Sequence, residues 1–318
     1  MSKISIILPT FNVEKYIAKA LESCINQTFK DIEIIVVDDC GSDKSIDIAK
    51  EYAKKDDRIK IIHNEENLKL LRARYEGVKV ANSPYIMFLD PDDYLELNAC
   101  EECIKILDEQ DEVDLVFFNA IVESNIISYK KFDFNSGFYS KKEFVKKIIA
   151  KKNLYWTMWG KLIRKKLYLE SFASLRLEKD VKINMAEDVL LYYPMLSQAQ
   201  KIAYMNCNLY HYVPNNNSIC NTKNEVLVKN NIQELQLVLH YLRQNYILNK
   251  YCSVLYVLIK YLLYIQIYKK QRTKLMVTLL VKINILTLKI LFKYKKFLNN
   301  VKNIFFRVSF EIIEGSIL

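Results

Sequence analysis

Four short apolar runs, Ile4–Leu8, Ile32–Val37, Ile59–His63 and Tyr85–Leu89, open this chain, and segments with helical spacing at Glu14–Thr28, Lys44–Lys54 and Leu68–Ala81 separate them. In the first of those segments Ile17, Ala20, Leu21, Cys24 and Ile25 fall on one helix face. Strands that are apolar at nearly every position need cover on both faces. A strand–helix repeat supplies it as a mostly parallel sheet between helical layers, so the fold class is α/β and Rossmann-like. Sheets of this kind place ligands beyond the carboxyl ends of their strands. Two of those ends are acidic: Val37 runs into Asp38-Asp39-Cys40-Gly41-Ser42-Asp43, and Leu89 into Asp90-Pro91-Asp92-Asp93. Asp39 and Asp92 are therefore expected to face one crevice.

Asp90, Asp92 and Asp93 repel one another, so a hard divalent cation with oxygen ligands, Mn²⁺ or Mg²⁺, suits the turn. A solvated turn whose acids cap a helix running from near Tyr94 to Glu109 is the plainer alternative. A second acidic pair, Glu187-Asp188, opens an apolar helix, where carboxylates can cap as well as act on a ligand. No GxGxxG follows the first strand and no GxxxxGK[ST] occurs. With five glycines in 318 residues, a phosphate cradle of backbone amides is not expected, and metal or cationic side chains would have to neutralise phosphates.

Val113–Phe118 reads as a further strand, residues 121–140 as irregular, aromatic and strand-rich, and Lys141–Lys152 as an amphipathic helix. The stretch Leu154–Leu162 holds both tryptophans of the protein. Aromatic faces stack on sugar rings but equally fill cores, so one indole is expected in each role. Trp156, Trp159 and Lys161 are the acceptor-binding candidates.

Charge is unevenly shared. Residues 1–225 carry 32 Lys+Arg against 34 Asp+Glu, and residues 226–318 carry 15 against 3. Basic residues there are interleaved with long aliphatic runs instead of forming a polar stripe, which argues against nucleic acid as a partner. The charge-free stretches fall short of the ~20 apolar residues that span a bilayer. Leu279, Ile283, Leu286 and Ile290 recur at helical spacing beside Lys282 and Lys289, the pattern of an interfacial helix with snorkelling lysines. Anionic lipid attracts such lysines, so peripheral attachment to a membrane surface is expected through roughly residues 270–310. The segment before Tyr268 is left open between membrane and core. Seven scattered cysteines point to reduced thiols and a cytosolic protein, with Cys100 and Cys103 as helix packing, and the N-terminus lacks signal-peptide character.

Five motifs in register carry a family resemblance: Pro9-Thr10-Phe11-Asn12, Val37–Asp43, Ala73-Arg74-Tyr75-Glu76-Gly77, Asp90-Pro91-Asp92-Asp93 and Glu187-Asp188. Together they resemble the inverting family 2 glycosyltransferases of GT-A fold, over roughly residues 1–215. More narrowly the chain is similar to the bacterial lipooligosaccharide β-1,3-galactosyltransferases that build ganglioside-mimicking outer cores. The resemblance implies UDP-galactose as donor, a GalNAc-terminated oligosaccharide or glycolipid as acceptor, and the cytoplasmic face of the inner membrane as location. Glucose, GlcNAc or GalNAc transfer is the alternative, since spacing cannot read a sugar's C4 hydroxyl.

Carried over position by position, the resemblance implies a nucleotide-sugar site of Pro9, Thr10, Phe11, Asp38, Asp39, Arg74 and Asp90. Asp39 would accept from uracil N3–H and Arg74 would hold base or diphosphate. Asp92, Asp90 and His211 are the metal-site candidates, His211 on a loop over the diphosphate. Asp188 would be the general base, with Glu187 orienting acceptor or base. Residues 1–110 would form the nucleotide-sugar half, 111–225 the acceptor half, and 226–318 a helical, membrane-associating region. The chain departs from the family pattern at Asn67-Leu68-Lys69, where many members have Asn-x-Gly, and at Tyr75, where an Asn is usual. A sugar-binding scaffold on a dead GT-A fold would be expected to lose the carboxylates that this chain keeps.

Overall fold

A computed structural model describes residues 2–123, 135–150, 154–215 and 224–244, together with helical positions 256, 258–260, 262, 263, 266 and 267. The first half builds β1 (Ile4–Thr10), α1 (Ile17–Ile25), β2 (Ile32–Asp38), α2 (Ser45–Ala53), β3 (Ile59–His63), α3 (Lys69–Val80), β4 (Tyr85–Phe88), β5 (Tyr94–Leu95) and α4 (Ala99–Glu109). The second adds β6 (Leu115–Val122), β7 (Gly137–Ser140), α5 (Lys141–Ala150), β8 (Lys161–Arg164), α6 (Lys165–Ser174), α7 (Glu187–Gln198), β9 (Lys201–Tyr212) and α8 (Glu225–Gln244).

Among the described residues all strands join one nine-stranded sheet of order β3-β2-β1-β4-β8-β6-β9-β5, with β7 pairing β9. β1 to β4, β6 and β9 run one way; β5, β7 and β8 run against them. The strand order reverses between β1 and β4, the switch point at which such sheets open a ligand crevice. Asp39 N donates to Thr10 O and Leu89 N to Ile7 O, each at 3.0 Å, which brings the two acidic turns to the same sheet edge. The sheet continues unbroken from the first half of the chain into the second, with β4 pairing β8.

Alternate strand residues feed two cores. Ile4, Ile6, Leu8, Ile34, Val36 and Met87 pack with Leu21 of α1 and Cys100 and Cys103 of α4. Ile7, Ile35, Val37, Ile86 and Phe88 pack with Leu71 and Val78 of α3 and Leu190 and Leu191 of α7. Burial of both faces explains the unbroken apolar runs. α3 lies unusually close to the sheet at Gly77: a Cβ there would stand 2.5 Å from Ile7 Cγ2 and 2.9 Å from Val37 Cγ2.

Three expectations are corrected. α1 begins at Ile17 and not at Glu14, because Glu14 is used across the crevice: its N–H donates to Asp43 Oδ2 at 2.8 Å and its carboxylate accepts from Lys44 N at 3.1 Å. Tyr94 does not start a helix. With Leu95 it forms β5 against Tyr210 and His211, and α4 begins at Ala99. His211 accordingly lies within β9, not on a loop.

The C-terminal segment begins as core. Leu235, Val238, Tyr241 and Leu242 of α8, and positions Leu258, Ile259, Leu263 and Ile267, are buried in the same cluster as α7. Residues 268–318, including the expected membrane-attaching stretch 270–310, lie outside the described residues, as do residues 124–134. No described helix is long and apolar enough to cross a membrane.

Candidate active site

The carboxyl ends of β1, β2 and β4 and the N-terminus of α7 open on one cleft of about 990 Å³. Pro9, Thr10 and Phe11 line it from the end of β1, Asp39 from the end of β2, and Asp90 and Asp92 from the turn after β4. Arg74, Glu187, Asp188, Trp156 and Trp159 complete the set of expected residues that reach it.

Asp39 is buried, and its carboxylate accepts from Asn64 Nδ2 and Leu68 N, both at 2.8 Å. Burial pushes its pKa up against those two donors. Asp38 points elsewhere: it pairs with His63 Nδ1 at 2.7 Å and does not line the cleft. Asp43 lines it but serves the backbone, accepting from Ser45 N at 3.0 Å and Glu14 N at 2.8 Å. Asn12 Oδ1 accepts from Ser42 N at 2.7 Å and would lie 3.0 Å from any Cβ at position 41, so a side chain there would crowd the two turns.

Arg74 organises the centre. Its side chain, 2% exposed, stands on α3 one turn before the Gly77 contact, with its guanidinium 5.4 Å from the centre of the Phe88 ring. Nη2 donates to Asp90 Oδ1 at 2.6 Å and Nη1 donates to Glu187 Oε1. One guanidinium thus ties the turn after β4 to the start of α7. Asp188 adjoins this cluster, so three carboxylates share the cation. Burial, reinforced by mutual repulsion, pushes Glu187 and Asp188 above the usual carboxylate range, while Arg74 is held firmly charged by Glu187 and Asp90. Glu187 Oε2 and Arg74 Nε have no hydrogen-bond partner among the described residues.

Ala186, the residue before α7, adopts φ 60°, a left-handed conformation that is costly for a residue with a Cβ. That turn brings the first two residues of α7 to the cleft. Asp188 Oδ1 accepts from Val189 N at 2.8 Å and stays partly open to the cleft.

In the β4 turn, Asp93 is the structural acid. It accepts from Tyr210 Oη at 2.6 Å and Val213 N at 2.7 Å, and burial beside Asp90 and Asp92 raises its pKa to about 8. Asp92 accepts from Asn215 Nδ2 at 3.2 Å, and burial and the nearby Asp90 push its pKa up. Asp90, Asp92 and Asp93 crowd one turn, and the repulsion that Asp90 exerts on Asp92 is what a divalent cation would relieve. No group of three or more His, Cys, Asp or Glu converges as a metal cage among the described residues. Mg²⁺-type ions are commonly held by one or two carboxylates with substrate phosphates and water, so Asp90 and Asp92 fit that mode.

The acceptor candidates separate. Trp159 is mostly buried and stacks on Tyr210 at 4.7 Å and Tyr212 at 5.9 Å, whereas Trp156 is more exposed to the cleft. Lys161 is fully buried behind them, donating to Thr157 O, and does not line the cleft. His211 does not reach it either: Nε2 faces Glu96 at 2.7 Å, Nδ1 faces Glu123 at 3.2 Å, and the ring stacks on Tyr94.

The family described as glycosyl transferase family 2 matches residues 5–169. The chain belongs to that family. Its members include varied relatives. The uncharacterized glycosyltransferase EpsJ of Bacillus subtilis (strain 168) is 32% identical over 221 residues, covering 68% of this chain and 62% of EpsJ. The cholesterol galactosyltransferase of Borreliella burgdorferi is 29% identical over 218 residues, covering 65% of this chain and 59% of the relative. The chain thus spans less than two thirds of either relative. Among solved structures, S. aureus TarS 1–349 in complex with UDP-GlcNAc superposes with a TM-score of 0.62 at 19% identity, over 84% of this chain and 73% of TarS, which places the fold as GT-A. The protein is a family 2 glycosyltransferase with the expected mostly parallel α/β architecture.

Partners of the site that the sequence does not advertise are Asn64, Tyr210 and Asn215, each brought in by a distant element. Burial there runs in pairs, with Leu209 and Tyr210 buried and His211 and Tyr212 less so, and no alternating pattern marks the segment as a strand at the site.

Proposed function

We propose that this glycosyltransferase moves galactose from UDP-galactose to the 3-hydroxyl of a terminal GalNAc on lipooligosaccharide, with inversion to a β-1,3 linkage. One observation carries the reaction class: Asp188, made more basic by burial, opens on the same cleft as Asp39, Asp90 and Asp92. Asp39 would accept from the uracil and Arg74 would hold the turn after β4 in place. Asp188 takes the proton as the acceptor oxygen attacks the anomeric carbon, and the bonding electrons of the breaking C–O bond leave with UDP. A single displacement inverts the centre. Asp90 and Asp92 would hold Mn²⁺ or Mg²⁺, which when bound stabilises the charge of the leaving diphosphate.

The galactose assignment is supported by the motif resemblance and by a relative that is a galactosyltransferase. The TarS complex favours UDP-GlcNAc as a second reading. A lipid-linked acceptor fits peripheral attachment at the cytoplasmic face of the inner membrane through roughly residues 270–310.

The test is UDP release by purified protein with Mn²⁺ and each of UDP-galactose, UDP-glucose, UDP-GlcNAc and UDP-GalNAc, with and without a GalNAc-terminated acceptor. Acceptor-stimulated release from UDP-galactose is expected. Stimulated release from another donor alone would reassign the sugar, and no release from any of them would overturn the reading.

A further inference from the structure

α8 begins well beyond residue 169, where the family match ends, yet it bonds to residues that line the cleft. Glu234 is 9% exposed and stands on the buried side of α8. Its Oε2 accepts from two successive backbone amides, Asn184 N at 2.8 Å and Met185 N at 2.7 Å. Its Oε1 accepts from Lys69 Nζ at 2.5 Å. Asn184 and Met185 both line the cleft and immediately precede Ala186, Glu187 and Asp188. We propose that Glu234 is a positioning residue for the transfer reaction, clamping the loop that aims Asp188 and tying it to the rim of the donor pocket.

The second half of that statement rests on Lys69. This residue opens α3 with φ 61°, the left-handed region that glycine tolerates and lysine does not favour. It stands where the resemblance has glycine in many members. Leu68, just before it, donates its N–H to Asp39, the carboxylate assigned to the nucleoside. The strained lysine is therefore held by the same carboxylate that holds the base-bearing loop, and Asp39 and Asp188 are linked through Leu68, Lys69, Glu234 and Met185.

Other contacts fix the frame around this carboxylate. Leu70 N donates to Asn184 Oδ1 at 2.8 Å, Leu71 N donates to Ile183 O at 3.0 Å, and Arg72 donates to Val181 O at 2.8 Å and to Glu178 O at 2.6 Å. α3 thus holds the loop from its outer end, and Tyr241 of α8 donates to Glu178. Glu234 supplies the acceptor nearest the catalytic pair. Without it, the buried Met185 amide and the partly buried Asn184 amide lose their partner next to a residue already in a strained conformation. The turn at Ala186 would then relax, and Asp188 with it.

The inference rests on the proposed role of Asp188. The experiment compares E234A, E234Q and, on the same helix, V238A, which removes core packing and leaves the Glu234 hydrogen bonds to the loop in place. E234A is expected to lower kcat about 10- to 100-fold with donor KM within about threefold, the pattern of a displaced catalytic group. E234Q keeps an oxygen for the amides and should recover part of that loss. V238A, assayed at a temperature where it is folded, should hold kcat within about twofold. Hydrogen exchange, read without any substrate, should show faster exchange across residues 183–188 in E234A while the rest of α7 stays protected. E234A matching V238A in both kcat and exchange would overturn the inference. A wild type that releases no UDP from any donor would overturn the functional reading instead, and the exchange comparison would still decide the clamp.

Discussion

Replacing Arg74 with methionine keeps much of the side chain's length and removes its charge from the middle of the carboxylate cluster. The side chain is 2% exposed and its fork bridges Asp90, itself 26% exposed, and Glu187, 4% exposed. Removing one partner of a buried ion pair costs about 3–5 kcal/mol, a large part of the ~5–15 kcal/mol by which a domain is stable. The loss has a pH signature. Burial already raises Glu187 and Asp188 above the usual carboxylate range with Arg74 present, and losing the guanidinium raises them further. A group raised on folding costs the fold about 1.36 kcal/mol per pH unit for each proton between its unfolded and folded pKa, so R74M parts from wild type only above the wild-type folded values. Near pH 4, where these groups are protonated in both proteins, the effect vanishes. R74M should therefore lose increasing stability relative to wild type as pH rises beyond the ordinary carboxylate range, and approach it near pH 4. The assay is urea denaturation of both proteins at pH 4.5, 6 and 7.5. R74K restores a charge but not the fork, so it should regain stability while transfer stays impaired. A loss below about 1 kcal/mol at pH 7.5, or one that does not shrink toward pH 4.5, would refute the claim that Arg74 neutralises this cluster.

D188N should keep donor affinity and drop kcat by about 10²–10⁴, the range for losing a general base, as read by initial rates and donor titration. The wild-type rate should rise with pH through a pKa above the ordinary carboxylate range, because burial makes Asp188 harder to ionise; an acid limb at the usual carboxylate value would argue against Asp188. Chelation should stop transfer and Mn²⁺ should restore it, whereas D92N should stay inactive at any Mn²⁺ concentration; full activity in a chelator would remove the metal from the scheme. G77A gains helix preference worth about 1 kcal/mol but forces a methyl to within 2.5 Å of Ile7 Cγ2, overpacking that costs about 1–3 kcal/mol, so thermal melting should show a net loss and not the usual gain.

The sequence by itself determined the sheet and its acidic edge. Runs such as Ile4–Leu8 and Ile32–Val37 are apolar at nearly every residue, and only burial on both faces accounts for that, so the strand–helix alternation was legible. Their carboxyl ends share an edge, which is why Asp39 and Asp92 are expected in one crevice, and both line it. Which carboxylate does what was decided by tertiary structure. Asp38 and Asp39 are neighbours, yet one turns to His63 and the other to the cleft, because pleating sends adjacent side chains to opposite sides. Asp93 belongs to the same motif as Asp92 and is consumed by Tyr210 and Val213, partners more than a hundred residues away. Tyr94 and Leu95 follow a helix-like pattern but become β5, since β9 offers backbone partners that outweigh local preference. His211 lies on that same strand, engaged by Glu96 and Glu123 from separate elements. Arg74 was legible as a motif residue, but its bridge from Asp90 to Glu187 exists only because Gly77 lets α3 sit hard against Ile7 and Val37. Periodicity is a property of neighbours along the chain, whereas a charge cluster is a property of distances between elements, and those are set by how closely helices and sheet can pack.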